Sequence, residues 1–507
     1  MSAANPLFDA LIAPGLSSSR PFLRLASGES LSYAAMMGQA HRMANAMRAI
    51  GVAPGDRVAV QVEKSPEALA LILGCIVAGA AVLPLNTAYT PAEVAYFLSD
   101  AEPALSVCDP GAEAALAPIA AKAGAKLLTL SADGAGSLIE AASAHPLSGE
   151  PTPRGADDLA AVLYTSGTTG RSKGAMLSQA NLLSNAQALV EIWRFTAGDA
   201  LLHALPIFHT HGLFVATNVT LAAGGSMIFL PKFDIEAVMS ALPHATTMMG
   251  VPTFYTRLLD DPRFSRDAAA HMRLFISGSA PLLAQTHEAF EARTGHRILE
   301  RYGMTETGMN TSNPYEGERR PGAVGMPLPG VSLRVADPET GAPLANGETG
   351  SIELTGPNVF QGYWRMPEKT ASEFRADGYF ITGDLGRIDE DGYLAIVGRA
   401  KDLIITGGFN VYPKEIETAL DALDGVVESA VIGLPHPDFG EAVTAVITPA
   451  PGAALSEEAI LAGLRDALAK FKQPKRVFFL DSLPRNSMGK VQKNVLRERY
   501  AETFAPP

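Results

Sequence analysis

Hydrophobic and polar positions alternate along this chain in two distinct rhythms. In the first 320 residues, short apolar runs of strand length are followed by apolar stretches of helix length. RVAVQV (57–62) reads as a strand and PEALALILGCIVAG as a helix. AAVLPL reads as the next strand, and TPAEVAYFLSDA (90–101) as a helix that Thr90 caps, with Glu93 completing a capping box. LSVCD is a strand again, and LLHALPIF, GSMIFLP and HMRLFISGSA repeat the theme between Leu201 and Ala280. A strand–helix alternation of this kind predicts parallel sheets covered by helices.

The longest apolar run, ALALILGCIVAGAAVLPL (68–85), is broken by Gly74, Gly79 and Pro84. It reads as a buried helix running into a buried strand rather than a membrane span. After about residue 320 the rhythm changes. PGAVGMPLPGVSLRVAD, GETGSIELTG and GYFITGDLGRIDEDGYLAIVG are short alternating strands separated by Gly, Pro and Asp-Gly turns, which predicts a small β-rich subdomain. GRAKDLIITGGFNVYPKEIETAL then opens a compact unit rich in both helix and strand signals. The expected class is therefore α/β. A large N-terminal domain (1–400) carries helix-covered sheets and a β-rich subdomain at about 320–400, and a small mobile α+β domain (401–507) follows, with the boundary at Lys401.

Length agrees with more than one domain, because single cores stop growing near ~250–300 residues and this chain has 507. A net charge of −13 disfavours a nucleic-acid binder, so any anion must be met by local clusters of cations and backbone N–H groups. Two cysteines, Cys75 and Cys108, form neither a disulfide framework nor a zinc pattern. The opening MSAANPLFDALIAPG lacks a basic n-region and an apolar core. A cytoplasmic location, with no membrane and no nucleic-acid partner, is expected.

Candidate chemistry begins at YTSGTTGRSKG (164–174), which follows the buried strand LAAVLYT. Its glycines allow close backbone approach, its hydroxyls and N–H groups can wrap phosphate oxygens, and Lys173 supplies a counter-charge. It is not a Walker A loop, since the spacing Gly167-x-x-Gly170-x-x-Lys173-Gly174 differs from Gly-x-x-x-x-Gly-Lys-[Ser/Thr]. Four further stretches follow in order: YGMTE (302–306), TGD (382–384), GRAKDLIITGGFNVYPKEIE (398–417) and PRNSMGK (484–490). Taken together, the five resemble the motifs of the adenylate-forming superfamily of acyl-CoA synthetases, amino-acid adenylation domains and beetle luciferases.

That resemblance implies a two-step reaction with ATP and CoA as substrates and Mg²⁺ as cofactor. A carboxylate is first activated to an acyl-adenylate with release of diphosphate, and a thiol then takes the acyl group. It implies that Thr165, Ser166, Gly167, Thr168, Thr169 and Lys173 hold the β and γ phosphates, that Thr305 meets the α-phosphate, and that Glu306 helps hold Mg²⁺. Tyr302 would stack on adenine, with Gly278, Ser279, Ala280 and Pro281 on its other side. Asp384 would accept from the ribose hydroxyls, supported by Arg399. Lys490 would enter the site to stabilise the α-phosphate, and as an exposed lysine on a mobile loop it is also a candidate for regulatory acylation. The C-terminal domain would turn about Lys401 between the two steps, with Gly407, Gly408 and Phe409 along the pantetheine arm and the basic KFKQPKR segment a candidate for CoA phosphates.

The acid is expected to lie among LPIFHTHGL, MMGVPTFY, FISGSAP and LERYGM, with His209, Ser277, Met304 and Arg301 as its contacts. A guanidinium in an apolar pocket is costly without an anion, and a second carboxylate on the substrate would satisfy it. The pattern as a whole most resembles malonyl-CoA synthetases, which implies malonate or methylmalonate. The alternatives are another short acid, an amino-acid adenylating enzyme, and an Arg301 that pairs with Glu300 or another protein acid and faces away.

Overall fold

The computed structural model describes residues 5–165, 172–407, 409–465, 467–486 and 489–504. By their internal contacts these form two compact units. One comprises residues 1–332 with 355–378, and the other 333–354 with 379–507.

The first unit is built on two sheets, counted among the described residues. In the six-stranded sheet, the strands run in the order Lys126–Thr129, Leu105–Cys108, Arg57–Gln61, Ala81–Pro84, Leu159–Thr165 and Lys173–Ser178. All neighbours are parallel except the last pair, where Thr165 stands opposite Lys173. The alternation read from the sequence is thus a parallel sheet. The apolar run after Ser65 is the buried helix Pro66–Ala78, capped by Ser65 and ended by Gly79 at φ +72°, and it runs into the buried strand Ala81–Pro84. No described helix is long and apolar enough to cross a membrane. Thr90 and Glu93 form the expected capping box at the helix Pro91–Ala101, whose Val94, Phe97 and Leu98 pack onto Leu83 and Val162 of the sheet.

The nine-stranded sheet has a parallel centre: Leu299–Met304, Leu274–Ser277, Thr247–Gly250, Ala200–His203, Ser226–Phe229 and Pro21–Leu25. Antiparallel strands close both edges. Its core is a cluster of interlocking aromatics, among them Tyr255, Phe264, Phe275 and Phe290, all fully buried. The amphipathic run AQTHEAFEART is the helix Ala284–Thr294 that lays Phe290 on this cluster, and Gly295 at φ +79° turns the chain back into the strand Leu299–Met304.

In the second unit, Ser332–Ala336, Gly350–Thr355, Phe380–Ile388 and Leu394–Arg399 make a four-stranded sheet. A five-stranded sheet includes the long pair Val426–His436 and Gly440–Pro449, covered by the helix Pro413–Asp421 through Ile416 and Leu420. The β-rich strands expected at 320–400 therefore pack with the residues that follow them, so the compact units divide the chain elsewhere than at residue 400. The reason is continuity: Leu394–Arg399 passes through a single helical turn, Ala400–Asp402, straight into the strand Ile404–Thr406. The segment 355–378 instead belongs to the first unit, where the Phe360 amide donates to the Glu306 carbonyl at 2.8 Å.

Replacing Thr90 by Ala removes the side-chain half of the capping box, the bond from the Glu93 amide to Thr90 Oγ1, while the residue 90 amide still donates to Glu93. A loss of about 1 kcal/mol is expected, read as a lower urea midpoint in unfolding followed by tryptophan fluorescence.

Candidate functional site

Parallel strands deliver side chains to one edge, and the C-terminal end of Leu274–Ser277 lies beside the start of Leu299–Met304 there, with Ser277 opposite Glu300. A bulge between Tyr302 and Gly303 re-aims the second strand just before the turn that carries Thr305 and Glu306. Gly303 is required at that bulge, because a Cβ would sit 2.1 Å from the Gly308 carbonyl oxygen.

Alternation along a strand sends consecutive side chains to opposite faces, and it separates Glu300 from Arg301. Glu300 accepts from the buried His287 at 3.3 Å and from the Gly322 amide at 3.2 Å. Arg301 goes the other way and is 5% exposed. Among the described residues neither its Nε nor its Nη2 has a hydrogen-bond partner. Burial pushes this guanidinium down to about 9. It lies flat against Gly278, where a Cβ would come within 2.3 Å of its Cζ. Arg301 thus does not pair with Glu300, and stands as a buried cation beside a glycine with two of its nitrogens unpartnered among the described residues.

Three more polar groups adjoin it. His211 is buried, with its Nδ1 3.2 Å from the Ser279 hydroxyl and its Nε2 without a partner among the described residues. Burial first, then Arg301, His209 and His203, hold this imidazole well below its ordinary range, so it is neutral. The Ser277 hydroxyl, next to Gly278 in sequence, is buried with no partner among the described residues. Ser279 takes φ +73°, a left-handed conformation that a non-glycine residue adopts only where its surroundings impose it.

His211 was not singled out by sequence reasoning, which chose His209. The structure places His209 one step back, half-buried, with its Nδ1 accepting from the His211 amide. Behind both lies a brace that the sequence did not signal. Lys64 is buried and donates to Nδ1 and to the carbonyl of His203, each at 2.8 Å, and His203 Nε2 reaches the Gly212 carbonyl at 2.8 Å. Met304, Thr305 and Ala280 are half-buried, Pro281 is exposed, and Tyr302 is 6% exposed.

A second cluster collects the residues expected at the phosphates. Glu306 is buried, and its Oε1 accepts from Thr165 Oγ1 at 3.4 Å and from the Tyr363 hydroxyl at 3.2 Å. Lys173 pairs with Glu373 at 3.0 Å and stands 4.0 Å above the Tyr363 ring. Tyr363 and Glu373 escaped sequence reasoning, since GYW and ASEF carry no signature of phosphate chemistry. Ser166, Gly167, Thr168 and Thr169 lie outside the described residues, as does Gly408.

The remaining expected residues belong to the second unit. Asp384 is buried and pairs with Arg399 at 2.8 Å across neighbouring strands, where the two are register partners. Lys490 is exposed, in a loop closed by reciprocal bonds with Asn486. Lys401 is exposed in its helical turn. Gly407 has φ +56°, and Phe409, 55% exposed, stacks on Phe471 at 4.7 Å. Within KFKQPKR, Lys472 is paired with Glu415 at 2.5 Å and Arg476 with Glu457 at 3.6 Å.

Comparison with known proteins meets this geometry from outside. The chain resembles the solved structure of ATP-bound MatB from Rhodopseudomonas palustris, with 61% identity, a TM-score of 0.97, and coverage of 99% of this chain and 100% of that one. It is 37% identical to a malonate–CoA ligase of Arabidopsis thaliana over 88% of this chain and 78% of that protein. It is 38% identical to a feruloyl-CoA synthase of Amycolatopsis sp over 93% and 94%. The model of the AMP-binding enzyme family matches residues 15–364, and that of the AMP-binding enzyme C-terminal domain matches 415–490. With its phosphate-loop strand and its YGMTE turn inside the first match, and the two matches together covering most of its length, the chain belongs to the AMP-binding enzyme family.

Proposed function

We propose that this protein is an AMP-forming acid–CoA ligase whose acid is a short dicarboxylate, malonate or methylmalonate. The observation that carries the choice of acid is Arg301, a buried guanidinium with two unpartnered nitrogens beside Gly278. Leaving such a cation buried alone is costly, and a bidentate carboxylate relieves that cost. A monocarboxylate spends its one anionic group at the reacting end, whereas a dicarboxylate has a second to place on Arg301. His211, neutral and partnerless at Nε2, and the Ser277 hydroxyl supply uncharged hydrogen-bonding groups that do not compete for the anion. The malonate–CoA ligase of Arabidopsis among the relatives supports this reading.

In the first step the reacting carboxylate oxygen attacks the α-phosphate of ATP. A P–O bond to diphosphate breaks as the acyl-adenylate forms. In the second, a CoA thiolate attacks the acyl carbon and AMP leaves. Neither bond change requires a general base on the acid, so the task of the protein is to hold charge and orientation. Thr165 and Lys173 bind the β and γ phosphates, together with Ser166, Gly167, Thr168 and Thr169. Thr305 meets the α-phosphate, and Tyr302 lies against adenine with Gly278, Ser279, Ala280 and Pro281 opposite. Asp384, fixed by Arg399, takes the ribose hydroxyls.

Magnesium fits the donors present. Glu306 is a buried carboxylate surrounded by hydroxyls, and this hard cation takes one or two carboxylates with substrate phosphates. Glu306 would hold it, and the ion would supply neutralisation of phosphate charge. Lys490 brings a further positive charge to the α-phosphate in the first step. Rotation about Lys401 then exchanges Lys490 for Gly407, Gly408 and Phe409, along which the pantetheine arm runs. Acylation of Lys490 would remove its charge and stop adenylation. A cytoplasmic location is part of the proposal, supported by two free, buried cysteines.

Diphosphate release measured over C2–C6 mono- and dicarboxylic acids should peak at malonate or methylmalonate. Arg301→Ala and Arg301→Lys should raise KM for malonate by tenfold or more, about 1.4 kcal/mol, and KM for acetate far less. An unchanged dicarboxylate preference overturns the role of Arg301. Gly278→Ala should do the same with the fold intact by circular dichroism, because its Cβ occupies the place of the guanidinium. Lys490→Ala should lose adenylate formation while thioesterification of supplied acyl-adenylate survives. Equal loss of both half-reactions overturns that assignment.

A further inference from the structure

One side chain touches both groups assigned above to the phosphate end of ATP, and it has no role in that scheme. The hydroxyl of Tyr363 stands between two carboxylates, 2.6 Å from Glu373 Oε2 and 3.2 Å from Glu306 Oε1. The face of its ring carries the Lys173 ammonium at 4.0 Å, and the same ammonium pairs with Glu373 Oε1 at 3.0 Å. Lys173, Glu373, Tyr363, Glu306 and Thr165 are thus links of one chain of contacts.

The links are firmly held. Tyr363 is 3% exposed, its amide donates to Thr370 Oγ1 at 2.9 Å, its backbone bridges Ala175, and its ring meets Phe360 edge-on at 4.8 Å. Its phenol carries one proton for two acceptors, with Glu373 the nearer of the two. Glu373 has a second cation in Lys369, at 2.6 Å, so its charge stays compensated when Lys173 turns elsewhere.

We propose that Tyr363 and Glu373 are positioning residues for the triphosphate and its metal, an inference that rests on the assignment of Lys173 and Glu306 made above. Tyr363 sets the two groups at a fixed spacing, through its ring face for Lys173 and its hydroxyl for Glu306. Glu373 is the resting partner of Lys173: an anion that holds the ammonium in place before ATP arrives and yields it to a phosphate oxygen. Without such an anion a half-buried lysine samples many rotamers, and ATP binding carries the cost of ordering it. With it, the lysine is pre-aimed, and the exchange is one anion for another.

Three variants test this, each read by equilibrium binding as well as turnover. Tyr363→Phe keeps the ring beneath Lys173 and removes only the hydroxyl. Affinity for Mn²⁺ as a paramagnetic probe, measured by electron paramagnetic resonance with a non-hydrolysable ATP analogue bound, should fall about tenfold, the cost of losing an outer partner of a metal-binding carboxylate. The Mg²⁺ giving half-maximal adenylation should rise in parallel, with kcat recovered at high Mg²⁺. KM for malonate and for CoA should be unchanged. Glu373→Gln removes the competing charge, so KM for ATP and the Kd of the analogue should fall several-fold. Glu306→Gln is the control.

A proportional loss of every parameter in Tyr363→Phe, without rescue by Mg²⁺, overturns the positioning role and leaves a structural one. A raised Kd for the analogue in Glu373→Gln overturns the resting-partner role. If Glu306→Gln weakens Mn²⁺ binding and Tyr363→Phe does not, this inference alone fails. If Glu306→Gln binds Mn²⁺ as the native protein does, the assignment of Glu306 fails and this inference with it.

Discussion

A guanidinium taken out of water without a counter-charge is among the most expensive things a fold can contain, and the site is organised around one. Arg301 is buried, two of its nitrogens find no partner among the described residues, and its place exists only because position 278 has no side chain. The cost is tolerated because the aromatic core beneath the nine-stranded sheet holds the two neighbouring strands rigidly enough to impose it. The strained φ of Ser279 lies in the same turn. If Arg301 meets the acid as proposed, the site stores its demand for an anion in the empty protein, and binding of a carboxylate removes a penalty as well as making bonds.

The phosphate end follows the opposite strategy. There, among the described residues, Lys173 is paired with Glu373, Glu373 also with Lys369, and Glu306 accepts from the hydroxyls of Thr165 and Tyr363. ATP is large, highly charged and well solvated in water, and a site that binds it gains by exchange of partners. A small acid offers few contacts, and a site that selects it gains by an unmet need. The strand Leu299–Met304 and the turn after it connect the two, with Arg301 at one end and Glu306 at the other.

Much of the fold was legible in the chain because its signals are local. The cap at Thr90 and the break at Gly79 each follow from one residue's chemistry and the apolar periodicity beside it. The strand–helix alternation implied parallel sheets through chain connectivity alone. Where the compact units divide was not legible, because it depends on which sheets share a core. The strands between 380 and 399 look alike from sequence whichever neighbour they join.

For the site, the sequence supplied the inventory of residues, among them Lys173, the Thr305–Glu306 pair, Asp384, Lys490 and an arginine out of place, and the family resemblance supplied the roles expected of them. The motifs that carry the resemblance are properties of residue type and spacing, and they survive without coordinates. Only the tertiary structure decided partners. It sent Glu300 to His287 and left Arg301 alone, put His211 rather than His209 against Ser279, and brought Tyr363 and Glu373, some two hundred residues away in sequence, onto Lys173. The physical reason is the same in each case. Which charge meets which is settled by the face a strand presents and by distant segments closing over it, and neither is encoded within any short stretch of chain.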